Sequence, residues 1–174
     1  EEIPNAKINK ELKSIVGLEY RGSYIISGAG VNEKNSYVAN YIAGTEEIGL
    51  AIEREWIGKE ISIIKVYPGN SNCNSEPQKL VIDTDLIANK ISLDIPAAKI
   101  DQSLATASDI KIKEFTTASE ILDVFCAEIL WEPDVSVVSE GNQYKAKIML
   151  EAIAPLTFPE EVSVFVNGSK EAAT

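Results

Sequence analysis

Tyr144-Lys145-Ala146-Lys147-Ile148-Met149-Leu150-Glu151-Ala152 is the stretch whose pattern decides the fold. Tyr144, Ala146, Ile148, Leu150 and Ala152 alternate with Lys145, Lys147, Met149 and Glu151, so one face is apolar and the other mostly charged. That period of two belongs to a half-buried strand, because successive side chains leave an extended backbone on opposite faces. Upstream, Trp131-Glu132-Pro133 ends an apolar run and Gly141-Asn142 marks a turn. Downstream, Pro155 and Pro159 punctuate a connection, Val162, Val164 and Val166 repeat the alternation, and Asn167-Gly168 closes it. Residues 127–168 therefore read as three strands and two turns, with little room for a helix.

The first half carries the same signals at short intervals. Residues 6–18 read as two extended pieces around Asn9-Lys10-Glu11; a helix on Ile8, Leu12 and Ile15 competes, and Gly17 with the tyrosine-rich run after it favours strand. Further short strands are expected at Ser23–Ser27, Tyr37–Tyr41, Ile48–Ile52 and Gln78–Ile82, separated by Gly-rich or polar breaks. Ile61–Tyr67 is the most apolar run of this half and suits a central strand covered on both faces. Pro68-Gly69-Asn70-Ser71-Asn72 is a loop by composition. Seven extended segments within about 80 residues fit an immunoglobulin-like or fibronectin-type-III-like sandwich.

Composition changes at Asp83-Thr84-Asp85-Leu86-Ile87-Ala88-Asn89-Lys90, which is polar and lacks alternation, and a boundary is placed there. Beyond it Ile91–Pro96 begins a new series, and Ser108–Lys113 follows with Ile110 and Ile112 facing one way and Lys111 and Lys113 the other. The expected fold is thus all-β: two tandem antiparallel β-sandwich domains, residues 1–83 and 84–174. Residues 117–130 are ambiguous. Thr117 with Glu120 has the form of a capping box, and Ile121, Leu122, Phe125 and Ile129 share one helical face, yet a strand from Val124 to Trp131 is equally legible.

Two sets of blocks resemble the non-catalytic Ig-like and fibronectin-like repeats of large surface proteins of Gram-positive bacteria. In the first half these are Ile15–Leu18, Tyr24–Gly28, Ile52 through Lys59 and Ser75 through Ile82; in the second, Ile129–Pro133, Tyr144–Leu150 and Phe158 through Gly168. The resemblance implies that 124–131 is a strand. It also implies a spacer or adhesion role between adjoining domains of a longer, secreted, wall-associated chain. Such repeats share no catalytic residues, and the Pro68–Ser75 loop with its Cys73 is longer than theirs.

Charge and composition narrow the chemistry. Net charge is -11, from 27 acidic and 16 basic residues, and the basic residues form no patch that would neutralise phosphates, so nucleic acid is not an expected partner. No run approaches the ~18 consecutive apolar residues of a spanning helix, so membrane insertion is not expected either. Glu1-Glu2-Ile3-Pro4 lacks a starting Met and a signal pattern and reads as an excised piece of a longer chain. Cys73 and Cys126 fall in different halves and are expected to be unpaired. The sequence holds no histidine, which removes Ser-His and Cys-His nucleophiles together with the commonest general base.

Paired carboxylates, Glu53 with Glu55 and Glu128 with Glu132, would suit a glycosidase, but at these spacings on strands they read as a solvated acidic face. Trp56 and Trp131 are the residues that would contact a glycan if the chain were a carbohydrate-binding module attached to a larger surface enzyme; beside β-runs both read first as core. Asp83, Asp85 and Asn89 could supply oxygens to Ca²⁺, but the Gly and terminal Glu of a calcium loop are missing and a polar hinge is the plainer reading. Asn167 could enter a Lys–Asn cross-link, although no lysine is singled out, and Asn167-Gly168-Ser169 reads as a turn rather than a glycosylation site. No catalytic residue, metal or cofactor is expected, and a surface glycan or protein remains the external partner to seek.

Overall fold

A computed structural model describes residues 3–28, 30–69, 73–114, 123–171 and 173. The chain divides into two compact units, the first ending at Leu86 and the second beginning at Ile87.

The first unit contains β1 (Lys7–Asn9), β2 (Ser14–Val16), β3 (Ser23–Gly28), β4 (Lys34–Val38), β5 (Asn40–Tyr41), β6 (Ile48–Ala51), β7 (Glu60–Val66) and β8 (Gln78–Val81). They form two four-stranded sheets, ordered β1-β2-β6-β5 and β4-β3-β7-β8, with every pairing antiparallel. Ile15 and Leu50 from one sheet and Tyr24, Ile26, Ile61 and Ile63 from the other are buried, as alternation along each strand requires. Burying an Ile side chain contributes about 1.5–3 kcal/mol, so these inner faces hold the sheets together. The Gln78 amide adds a polar tie between them. It accepts from the Ala6 N–H at 2.7 Å and donates to the Ala6 carbonyl at 2.8 Å, joining the lead into β1 to β8 of the other sheet.

Several expected elements take a different form. Tyr37–Tyr41 is two strands, because the chain leaves one sheet after Val38 and enters the other at Asn40. Ala39 makes the crossing fully buried, its N–H donating to Gly22 and its carbonyl accepting from Arg21, which a larger side chain would obstruct. β7 is central, as expected, but only Ile61 and Ile63 are buried; the opposite face is half-covered. Ile48–Ile52 and Gln78–Ile82 are strands within one residue of their expected ends.

The second unit contains β9 (Lys90–Asp94), β10 (Lys111–Glu114), β11 (Val124–Glu132), β12 (Lys145–Ala152), β13 (Ser163–Val166) and β14 (Ser169–Glu171). One sheet runs β10-β9-β13-β14, and β11 pairs with β12 as a two-stranded antiparallel ribbon. The β9–β13 pair is parallel, against the expectation of purely antiparallel sheets. Ser108–Lys113 is a 3-10 turn (Ala107–Asp109) followed by β10, so only its second part is extended. Ile91, Leu93, Leu104, Val124, Val138 and Leu156 are its buried apolar side chains beyond the boundary stretch. That stretch is not uniformly polar: Leu86, Ile87 and Ala88 are all buried.

Val124–Glu132 is a strand, as the resemblance implies, whereas the capping box at Thr117 and Glu120 and the apolar pair Ile121 and Leu122 lie outside the described residues. Pairing runs from Val124↔Ala152 to Glu132↔Lys145, with a register shift between Cys126 and Glu128. Ala127 is the extra residue. Before it Cys126 opposes Leu150 and after it Glu128 opposes Met149, so Cys126, Ile129 and Trp131 share a face although the first two are three positions apart. The Asn167-Gly168 turn closes β13 onto β14 with both residues at positive φ, 47° and 86°, the geometry of a two-residue hairpin.

Gly49 pairs with Val16 on one side and Asn40 on the other, and a Cβ there would overlap the Ile15 carbonyl. We expect Gly49→Ala to destabilise the first unit by about 3 kcal/mol or more, because rigid backbone rather than a movable side chain must yield. Urea unfolding at unchanged midpoint would contradict this placement of β6.

Candidate functional site

The two tryptophans occupy unlike environments. Trp56 sits at the end of a 3-10 turn (Arg54–Trp56) leading into β7 and is 0% exposed. Tyr37 packs on it edge-to-face at 5.3 Å between ring centroids, and the Tyr37 hydroxyl and Trp56 indole N–H are both buried without a hydrogen-bond partner among the described residues. Burial pushes the Tyr37 phenol above its ordinary value, and the nearby Glu53 carboxylate adds to the effect. Trp56 is therefore core, as its place beside a β-run suggests, and offers no ring surface to a glycan. Glu53 and Glu55 are not strand neighbours either: Glu53 precedes the 3-10 turn and pairs with Lys34 at 3.6 Å, and Glu55 lies within the turn.

Trp131 is only half-buried and lines an open groove of about 380 Å³ in the second unit. Three segments build it: Ser103–Ala107, the β11 residues from the bulge at Ala127 to Trp131, and Val135–Ser136. Each is fastened by its own hydrogen bonds. The Trp131 indole N–H donates to the Ala105 carbonyl at 2.9 Å, tying strand to loop and fixing the ring. The Asp109 carboxylate accepts from the Thr106 N–H at 2.8 Å and from the Thr106 hydroxyl at 2.9 Å, which holds that carboxyl below its ordinary range and stiffens the turn behind the loop. Backbone bonds from Asp101 to Val138 and from Val138 to Gln102, at 3.0 and 2.9 Å, set the third wall against the first.

Chemically the groove is apolar with a few polar groups. Leu104, Ala127, Ile129 and Val135 join Trp131 in the lining, while the Ser103 and Ser136 hydroxyls make no hydrogen bond among the described residues. Among the described residues no cationic side chain lines it. Glu128 and Glu132 do lie on the exposed face of β11, opposite Met149 and Lys145, as the acidic-face reading expects. Ser103, Thr106, Val135 and Ser136 carry no sequence signature of a site; only the Thr106–Asp109 spacing, that of a polar cap, was open to notice.

The remaining sequence candidates have structural occupations. Asp83 and Asp85 both face the Lys10 ammonium, at 3.2 and 2.8 Å, which raises the Lys10 pKa through Asp85 first, so an ammonium stands where the calcium reading places a cation. Among the described residues no cluster of three or more Cys, Asp or Glu side chains could hold a metal ion. The Asn167 side-chain oxygen accepts from the Ile95 N–H at 2.8 Å. Cys73 and Cys126 are free thiols, and burial pushes the Cys126 thiol up.

Because one indole is sealed and the other open, acrylamide quenching should resolve two components, with Trp131→Phe removing the accessible one. Trp56→Ala should cost the first unit about 3–5 kcal/mol, whereas an unchanged unfolding midpoint would rule out a core role. No helix among the described residues is long and apolar enough to cross a membrane. Set against known proteins, the chain matches no family model, no curated protein and no solved structure.

Proposed function

We propose that the chain is a pair of non-catalytic immunoglobulin-like or fibronectin-type-III-like modules in series, a spacer or adhesion segment of a secreted or cell-surface bacterial protein. The observation that carries this reading is the strand order of the first unit. Lettered A, B, C, C′, D, E, F and G in chain order, its strands lie as A-B-E-D in one sheet and C′-C-F-G in the other, the order of an immunoglobulin sandwich. Sequential strands that change sheets interlock the two layers, so the unit cannot be drawn apart without breaking ladders in both. The lack of histidine and the net charge of -11 add to it, since they suit a self-repelling, soluble surface better than acid–base chemistry. Adjoining domains of a longer chain are the partners such a segment would space apart.

Pulling the chain by its ends tests the mechanical reading. Two cooperative unfolding events are expected, one per unit, each releasing roughly 300 Å of chain at about 3.5 Å per residue. Smooth extension at low force, without discrete events, would remove the spacer role.

A further inference from the structure

The groove beside Trp131 has no place in a purely mechanical role, and its construction points to a ligand. Its walls are set before anything binds: the indole is pinned to Ala105, the Ser103–Ala107 loop is braced by Thr106 and Asp109, and Val138 anchors the Val135–Ser136 wall. Pre-set walls lower the ordering cost of binding. At about 380 Å³ the groove lies within the size range of small-molecule sites. The strand bulge adds a further mark, since bulges re-aim side chains beside sites, and here Ala127 brings Ile129 and Trp131 to the groove while leaving Glu128 at its rim.

The chemistry of the lining selects the occupant. A half-buried indole offers an apolar, weakly negative ring face; Ser103 and Ser136 offer hydroxyls with no internal partner among the described residues. A pyranose is complementary to that combination, with a C–H face for the ring and equatorial hydroxyls that exchange hydrogen bonds with the serines. Charge decides which pyranose. With no Lys or Arg in the lining among the described residues and a net charge of -11, a carboxylated or sulfated sugar is repelled and a neutral one is not. We propose that this groove is a binding subsite for a neutral hexopyranose unit of a glycan chain, with Trp131 as the stacking platform and the Ser103 and Ser136 hydroxyls as its hydrogen-bond partners. The subsite is independent of the spacer reading: a stiff module needs no ligand, and a sugar site needs no stiffness. Shallow stacking sites of this kind bind single chains in the millimolar range.

The two indole N–H resonances of the whole chain, assigned with Trp131→Phe, provide the test. Maltohexaose, cellohexaose and hexa-N-acetylchitohexaose are titrated separately, with an oligogalacturonate as the anionic control. At least one neutral oligomer should shift the Trp131 resonance in a saturable way and leave Trp56 in place. Trp131→Ala should lower the affinity about tenfold or more. Ser136→Ala, a change at an exposed loop position, should weaken binding several-fold with the melting temperature unchanged, which keeps the test decisive if the Trp131→Ala chain does not fold. The proposal is overturned if no neutral oligomer moves the Trp131 resonance at about 20 mM, well above a millimolar dissociation constant. Binding of the anionic control alone, or Ser136→Ala binding as tightly as wild type, would overturn it as well. None of these outcomes bears on the two mechanical unfolding events.

Discussion

A strand residue leaves the backbone on one face or the other, so a single inserted residue reverses every side chain that follows. Ala127 is that residue in the second unit. Ahead of it Val124 and Cys126 face the same way as Ala152 and Leu150; beyond it Ile129 and Trp131 rejoin them opposite Ile148 and Ala146. Had β11 kept an unbroken period of two through Ala127, with no bulge, Glu128, Leu130 and Glu132 would take the face that Ile129 and Trp131 hold, and the indole would point away from Ala105. The groove, the Trp131–Ala105 hydrogen bond and the acidic outer face of β11 all follow from that one irregularity.

The first unit obeys the same constraint, and its irregularity lies towards a sheet edge, where the β3–β4 register shifts between Tyr24 and Ile26. β3 and β7 pair over six residues in unbroken register, from Ser23↔Val66 to Gly28↔Ile61, so Ile26 and Ile63 meet as neighbours on the inner face. The two places where the chain must depart from a strand are held by small or fully enclosed residues. Ala39 lets the backbone pass from one sheet to the other, and Trp56 fills the space under the turn that brings β6 round to β7. Trp56 is large enough to exclude water there, at the cost of an indole N–H with no partner among the described residues.

Charge is arranged differently in the two roles proposed for the chain. Most described ion pairs lie at the surface, where solvent weakens them: Lys10 with Asp83 and Asp85, Lys34 with Glu53, Lys79 with Glu60. They orient loops and strand ends and contribute little to stability. In the groove the Ser103 and Ser136 hydroxyls have no hydrogen-bond partner among the described residues and stay open to a ligand from outside the chain. A surface rich in acids and poor in bases then excludes anionic ligands at long range before any contact is made.

Alternation in 144–152, in the short β-branched runs of the first half and around Asn167-Gly168 made the all-β class legible, because exposure along a strand is written directly into the order of its residues. The same rule explains what could not be read. With Ala127 in place the β11 sequence breaks its own period, and Phe125 with Ile129 falls at helical spacing, so strand and helix were equally compatible with it; cross-strand pairing to β12 is what settles it. Tyr37–Tyr41 looked like one strand because nothing local reports a change of sheet, and Ser103, Thr106 and Ser136 carry no mark of the groove they line. The sequence by itself determined which segments are extended and which acid–base chemistry is unavailable. Tertiary structure alone decided that Trp56 is sealed while Trp131 is open, since burial depends on residues distant in the chain: Tyr37 against the one, Ala105 and Val135 beside the other.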